Sequence, residues 1–397
     1  MAAIGALVAV AGATLLIAEH SSSDSTIRDP STATSVVEGT SSTLAPTKPQ
    51  QDPSVVRANE LGVIPVLMYH RIVDRPTSKL DRTPEQLRAE LERLAASDFV
   101  PVTAAQYVNG EIDIPAGKHP VVLTFDDGSP THLTLGADGL PIPTCAVGVI
   151  LDVAKRYPGF RATATFYANR RPFDDSTGTA ARWAVSHGFE LGNHTFSHPR
   201  LSRLSDTRVQ REIVLLQQLI AGLAPAAKLE TIALPYGIRP HTERLLMAGA
   251  WNNHSYRFNG AFLVGANPSP SPFTTSFNSL RIPRIRSDVD GVAFGSGDWL
   301  NRLAKTPDTL YTSDGDPRFI SYPASMDAKL RPEFRAKAYA YPDPAPASTT
   351  TAPTTIAPTT TLDQAAPGVV PTSQTEASTV SPTTTDASAA SETLASE

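Results

Sequence analysis

Two short stretches hold residues whose types and spacing could do chemistry. The first is "TFDDGS" (Thr124–Ser129), in which Asp126 and Asp127 sit side by side after a run of β-prone apolar residues and before Gly128. Adjacent carboxylates repel, so a buried pair needs something to offset its charge. The second is "NHTFSHPRLS", in which His194 and His198 are four residues apart. On a helical turn that spacing puts both imidazoles on one face, which suits a divalent cation taking one ring nitrogen from each. The motif is not HExxH, because Thr195 stands where the Glu would be. A carboxylate from the Asp-Asp-Gly turn would complete a two-His-one-carboxylate set that leaves coordination positions open. The two carboxylates could then divide the work, one ligating and one taking a proton from water. Taken singly, a His-x3-His is more often an incidental helical pair, and an Asp-Asp-Gly more often a solvated turn. Their conjunction at the ends of apolar runs is what carries weight.

The elements that must position these groups alternate along residues 61–344. Strands are expected at 63–70, 120–125, 162–168 and 188–193, within "LETIALPYG", "NGAFLVG" and "LRIPRIR", and at 318–323. Helices are expected from Pro84, with Thr83 and Gln86 forming a capping box, at 144–157, at 179–187 and at 206–223. Repeated βα alternation implies a parallel sheet, open or closed into a barrel, whose functional groups gather at the carboxyl ends of the strands. His70, Asp126 with Asp127, His194, Pro235 with Tyr236, and Arg284 with Arg286 are all expected on that rim.

The ends read differently. Residues 1–18 are apolar and uncharged after the first Met, except at the amino terminus, and sit between a signal-peptide core and a membrane anchor in length; the anchor is preferred. Residues 19–60 read as a linker rich in Ser, Thr and Pro. Residues 345–397 read as a disordered Thr/Ser/Pro/Ala tail that cannot bury enough apolar surface to fold. This places the core outside the cell or at its surface. The single cysteine, Cys145, excludes an intramolecular disulfide framework and a CxxC metal site. A net charge of −5 without a basic block argues against nucleic acid as a partner.

"TFDDGS", "NHTFSHPRLS" and "ALPYG" together resemble the polysaccharide deacetylase family, the NodB-like carbohydrate esterases. The resemblance implies a distorted (β/α) barrel and one divalent metal, usually zinc, with cobalt or nickel as alternatives. The implied activity is removal of acetyl groups from N-acetylated or O-acetylated glycans, the substrate being the partner of a monomer. By motif, Asp126 would be the catalytic base and Asp127, His194 and His198 the metal ligands. Pro235 and Tyr236 would lie along the groove, the Tyr236 backbone N–H helping to hold the oxyanion. Three positions depart from the family pattern. Ala233 stands where an Arg usually supports the base; Arg284 or Arg286 could supply that charge from another strand. "GDW" at 297–299 matches the late Asp-Trp motif only loosely, so Trp299 lines the groove or is a plain core residue. No histidine follows His254, so the late acid is missing and His70, in "MYH", is its substitute. The segment "LGADGLPIPT" is expected to loop over the groove. The alternatives are an O-acetyl esterase, an amidase for a non-sugar amide, and a degenerate barrel that binds glycan without cleaving it.

Overall fold

Along the third strand of the sheet the burial of side chains alternates between two apolar layers. Val121, Leu123 and Phe125 pack into one, against the helices, while Val122 joins the other, within the curl of the sheet. Leu67 and Tyr69 against Val66, and Phe166 against Tyr167, divide the same way. Strands covered on both faces read as unbroken apolar runs, which is why they are legible as strands.

The computed structural model describes residues 48–343, apart from 289–290. The strands are β1 (Val66–Tyr69), β2 (Phe99–Val102), β3 (His119–Phe125), β4 (Thr165–Ala168), β5 (Glu190–Asn193), β6 (Thr231–Ala233), β7 (Ala248–Trp251), β8 (His254–Arg257), β9 (Gly260–Phe262), β10 (Ile285–Arg286), β11 (Ile320–Pro323) and β12 (Ala338–Tyr341). The helices are α1 (Pro84–Ala96), α2 (Ala104–Asn109), α3 (Ala146–Arg156), α4 (Thr179–Ser186), α5 (Asp206–Leu223) and α6 (Ser296–Lys305). All pairings of the main sheet are parallel, in the order β10-β1-β3-β4-β5-β6-β9, with β2 also on β3. Parallel bridges from Phe262 to Ile282 and from Gly265 to Ile285 link β9 to the β10 segment. They curl the parallel sheet that the alternation implied into the distorted (β/α) barrel that the resemblance implied. The Thr83–Gln86 capping box starts α1 as expected.

The folded unit begins upstream of residue 61. Ala58, Asn59 and Glu60 are buried, Asn59 bridges Thr312, and the Tyr341 hydroxyl donates to the Ala58 carbonyl at 2.7 Å. Residues 58–60 of the linker expected over 19–60 are thus part of the folded unit, held against Thr312 and Tyr341. The expected anchor at 1–18 and tail at 345–397 lie outside the described residues. Among the described residues, no helix is long and apolar enough to cross a membrane.

Candidate metal and catalytic site

The alternation of β3 continues one step past its end. Val122 and Thr124 face the inside of the curl, so Asp126 follows them inward, and it is 2% exposed. Its backbone N–H donates to the Tyr69 carbonyl at 3.0 Å. Arg284, fully buried, meets it there: Nη1 and Nη2 donate to the two carboxylate oxygens at 2.7 Å each. The same guanidinium donates to the Leu263 carbonyl and the Thr124 hydroxyl, and its carbon lies 5.6 Å from the Tyr167 ring centre. Burial alone would push the Asp126 carboxyl up; the charge of Arg284, with His194 behind it, more than reverses this and holds it well below the usual carboxylate range.

The chain then turns sharply. Asp127 has φ 77° and Gly128 φ 60°. The left-handed φ of Gly128 is what favours glycine there; a Cβ would make only ordinary contact, 3.4 Å from the Cα atoms of Ala168 and Pro172. The turn swings Asp127 toward the histidines. Its Oδ1 is 3.5 Å from Nε2 of His194 and 3.5 Å from Nε2 of His198, and one ligand atom from each of the three residues lies within 4.8 Å of the others.

His194 and His198 converge by a route that differs from the expected helical turn. His194 follows the end of β5, and the chain reverses through Thr195 (φ 65°) and His198 (φ 55°), both left-handed. For a β-branched residue such as Thr195 that conformation is strained, so its surroundings must impose it. They do: Asn193 Oδ1 accepts from the Thr195 N–H at 2.9 Å, while Glu212 on α5 accepts from the Ser197 N–H and hydroxyl at 2.7 and 2.9 Å. Sequence reasoning missed Asn193 and Glu212; the one signal was a carboxylate on the apolar stripe of α5. His194 Nδ1 lies 2.9 Å from the Ala233 carbonyl, which can only accept, so Nδ1 carries the proton and Nε2 offers its lone pair.

Two imidazole nitrogens and a carboxylate oxygen are a donor set suited to a zinc-like cation, whereas calcium prefers oxygen alone. The residues present fit such an ion.

The remaining expectations divide. Arg284 reaches Asp126; Arg286 does not, because its guanidinium is held by Asp288 at 2.8 Å on the outer side. His70 follows β1, with its Nδ1 buried and unpartnered. Burial lowers its pKa against the pull of Asp126 and Asp127. Pro235 is buried, and Tyr236 stands 54% exposed with its ring centre 4.7 Å from that of His198. Trp299 packs on the core from α6 and donates its indole N–H to the Ala266 carbonyl at 2.6 Å, a structural placement. His132 is fully buried between Phe125 and Phe166, and its Nε2 lies 2.8 Å from the His70 carbonyl.

Comparison with known proteins agrees with the motifs. Residues 113–250 match the family model described as polysaccharide deacetylase. A chitooligosaccharide deacetylase of Rhizobium leguminosarum bv. phaseoli is 33% identical over 143 residues, covering 36% of this chain and 55% of the relative. A peptidoglycan-N-acetylglucosamine deacetylase of Bacillus cereus is 27% identical over 152 residues, 37% of this chain and 49% of the relative. The chain thus spans about half the length of the curated relatives it matches. Among solved structures, the Streptococcus pyogenes deacetylase PplD in complex with acetate superposes with a TM-score of 0.45 at 18% identity, covering 60% of this chain and 97% of that one.

Proposed function

We propose, from the premise that residues 113–250 of this chain belong to the polysaccharide deacetylase family, that the protein hydrolyses acetyl groups from an N-acetylated cell-wall or extracellular glycan. The observation that carries this reading is the pairing of a three-residue ligand cluster with an adjacent buried carboxylate held ionised by Arg284. Asp127, His194 and His198 would hold one divalent metal, zinc before cobalt or nickel. When bound, that ion supplies a Lewis acid for the acetyl carbonyl and for water. Asp126, kept from ligation by its two bonds to Arg284, accepts the proton of the attacking water. The Tyr236 backbone N–H, at the turn after β6, shares in holding the oxyanion. His70 hands a proton to the leaving nitrogen, without which an amine departs poorly.

The burial that lowers His70's pKa weakens it as a donor at neutral pH. An ester needs that proton less, so O-deacetylation is the second reading. The N-terminal segment would keep the enzyme at the cell surface, acting as a monomer on its polymer.

The test is acetate release by the zinc-loaded protein from matched N-acetylated and O-acetylated oligosaccharides, with Asp126→Asn alongside. Release from the N-acetylated substrate that falls at least about 100-fold in the variant supports the reading. Asp126→Asn acting at the wild-type rate would sink it, as would release from O-acetyl substrates alone, which selects the second reading.

A further inference from the structure

The barrel rim beside the ligand cluster is more basic than the chain as a whole. The formal net charge is −5, yet the segments that follow β4, β5 and β6 hold Arg170, Arg171, Arg200, Arg203 and Arg239 against Asp174, Asp175 and Glu243. Arg171 pairs with Asp174 at 2.7 Å, and Arg239 with Glu243. Asp175 is taken up by the N–H groups of Thr177 and Ala180 at 2.8 Å each, where α4 starts. Arg170, Arg200 and Arg203 thus have no carboxylate partner among the described residues. The Arg170 N–H donates to the Phe196 carbonyl at 3.0 Å, tying the segment after β4 to the turn that carries the histidines.

Arg200 is connected to the cluster by two ring contacts. His198 meets Tyr236 edge-on at 4.7 Å between ring centres, and the Arg200 guanidinium carbon lies 5.0 Å from the centre of that same Tyr236 ring. The backbone fixes the tyrosine in place. Tyr236 has φ 58° and Gly237 φ 66°, and a Cβ on Gly237 would come within 2.7 Å of the Val264 nitrogen. A guanidinium over an aromatic face uses its π surface there and keeps its in-plane N–H fork for an anion, for which a carboxylate is the matching shape. An exposed ring beside the cluster is also a surface on which a sugar can lie.

We propose that Arg200, seated on Tyr236, is a specificity-determining residue that selects glycans carrying a carboxylate on the sugar next to the N-acetylated one presented to the ligand cluster. This rests on the deacetylase reading above and adds the charge of the substrate to it. A cation without a carboxylate partner, one ring away from a ligand of the cluster, attracts an acidic polymer and sets its register, so it acts through KM more than through kcat.

The experiment uses an oligosaccharide of alternating N-acetylglucosamine and uronic acid, and the same oligosaccharide after reduction of its carboxylates to alcohols. Acetate release is followed with the full zinc-loaded chain as wild type, Arg200→Lys, Arg200→Gln and Arg200→Glu. The expected wild-type preference for the acidic form is about tenfold in kcat/KM. It should shrink in the Lys variant, which keeps the charge but not the fork, vanish in Gln and invert in Glu. Equal preference in wild type and Arg200→Gln overturns the assignment. So does an equal fall on both substrates, which marks a structural role. If wild type releases acetate from neither, the deacetylase reading fails instead. Calorimetric affinities of the two forms for wild type and Arg200→Gln then decide the Arg200 assignment independently.

Discussion

Arg284 holds Asp126 with both terminal nitrogens at 2.7 Å, from a segment 158 residues further along the chain. Neither side chain is more than 3% exposed. A buried pair of this kind is costly to break from one side, because the survivor is left charged and unpaired. Arg284→Met is expected to destabilise the fold by about 3–5 kcal/mol, and Asp126→Asn in the same chain to recover much of that. Urea unfolding of the two single variants and the double variant checks it; additive losses would show that the pair is not a unit. On activity the sign follows from the depressed carboxyl. Asp126 must be ionised to accept a proton, so the rate is present above its pKa. Removing Arg284 raises that pKa and moves the acidic limb of the kcat/KM profile to higher pH.

The ligand cluster makes a prediction independent of any substrate. The purified protein is expected to bind close to one zinc ion per chain, as about one equivalent, and the double variant His194→Ala, His198→Ala to bind almost none. Zinc at 100 times its dissociation constant should stabilise wild type by about 2.7 kcal/mol, and a chelator should remove that increment. Metal analysis with thermal melts reads both quantities. A double variant that keeps its zinc would place the ion elsewhere.

β11, the strands of the main sheet other than β2 and four of the six helices were legible because burial writes itself as apolar runs and helical stripes; the partly exposed β7, β8 and β12 were not, nor were α2 and α6. β2 was not, since Pro101 interrupts "FVPV"; the strand pairs with β3 alone, an edge position where proline is tolerated. The chemistry-bearing residues were legible by type, but not their partners. Arg284 and Arg286 share sequence parity, and only packing shows that one turns in to Asp126 while the other turns out to Asp288. The spacing of His194 and His198 suggested a helix. The strained turn that brings them together depends on Glu212 and Asn193, contacts that no local pattern encodes. The buried Glu60 carboxylate is met by Tyr311, Asp314 and Ser321, which no reading of the first 60 residues could supply.

His132 gives the fold an acid sensitivity. Its ring lies between Phe125 and Phe166, and burial lowers its pKa from 6.5 to about 4, although the bond to the His70 carbonyl pulls the other way. A group whose folded pKa is depressed contributes stability above its unfolded value, and loses it as pH falls through the folded one. Between pH 6.5 and 4 that loss reaches about 3 kcal/mol. His132→Gln keeps an N–H for the His70 carbonyl and cannot titrate. Its unfolding free energy should fall less steeply over that range, as read by urea titrations at several pH values. Parallel curves for the two proteins would refute the assignment.

Glu60 and Asp314 form the opposite case. Both are buried, at 3% and 2% exposure. Glu60 accepts from the Tyr311 hydroxyl at 3.0 Å and the Ser321 N–H at 2.9 Å; Asp314 accepts from the Ser321 hydroxyl and from the Asp316 N–H at 2.7 Å. Burial raises both carboxyls, and the Asp314 charge raises Glu60 further. For a raised folded pKa the stability is complete below the unfolded values of 4.5 and 3.8, and it drains away as pH climbs through the folded values. Asp314→Asn can still accept from the Asp316 N–H and can donate to the Ser321 hydroxyl, so it removes the charge with little loss of bonding. Wild type should therefore lose at least about 2 °C more in Tm than Asp314→Asn between pH 5 and pH 8. This joint fastens residues 58–60 beneath the strand at 320–323, so wild type should also expose the chain ahead of residue 61 to proteolysis sooner at pH 8 than the variant does. Equal Tm slopes in the two proteins would mean that the pair keeps a proton throughout, and that the joint is insensitive to pH.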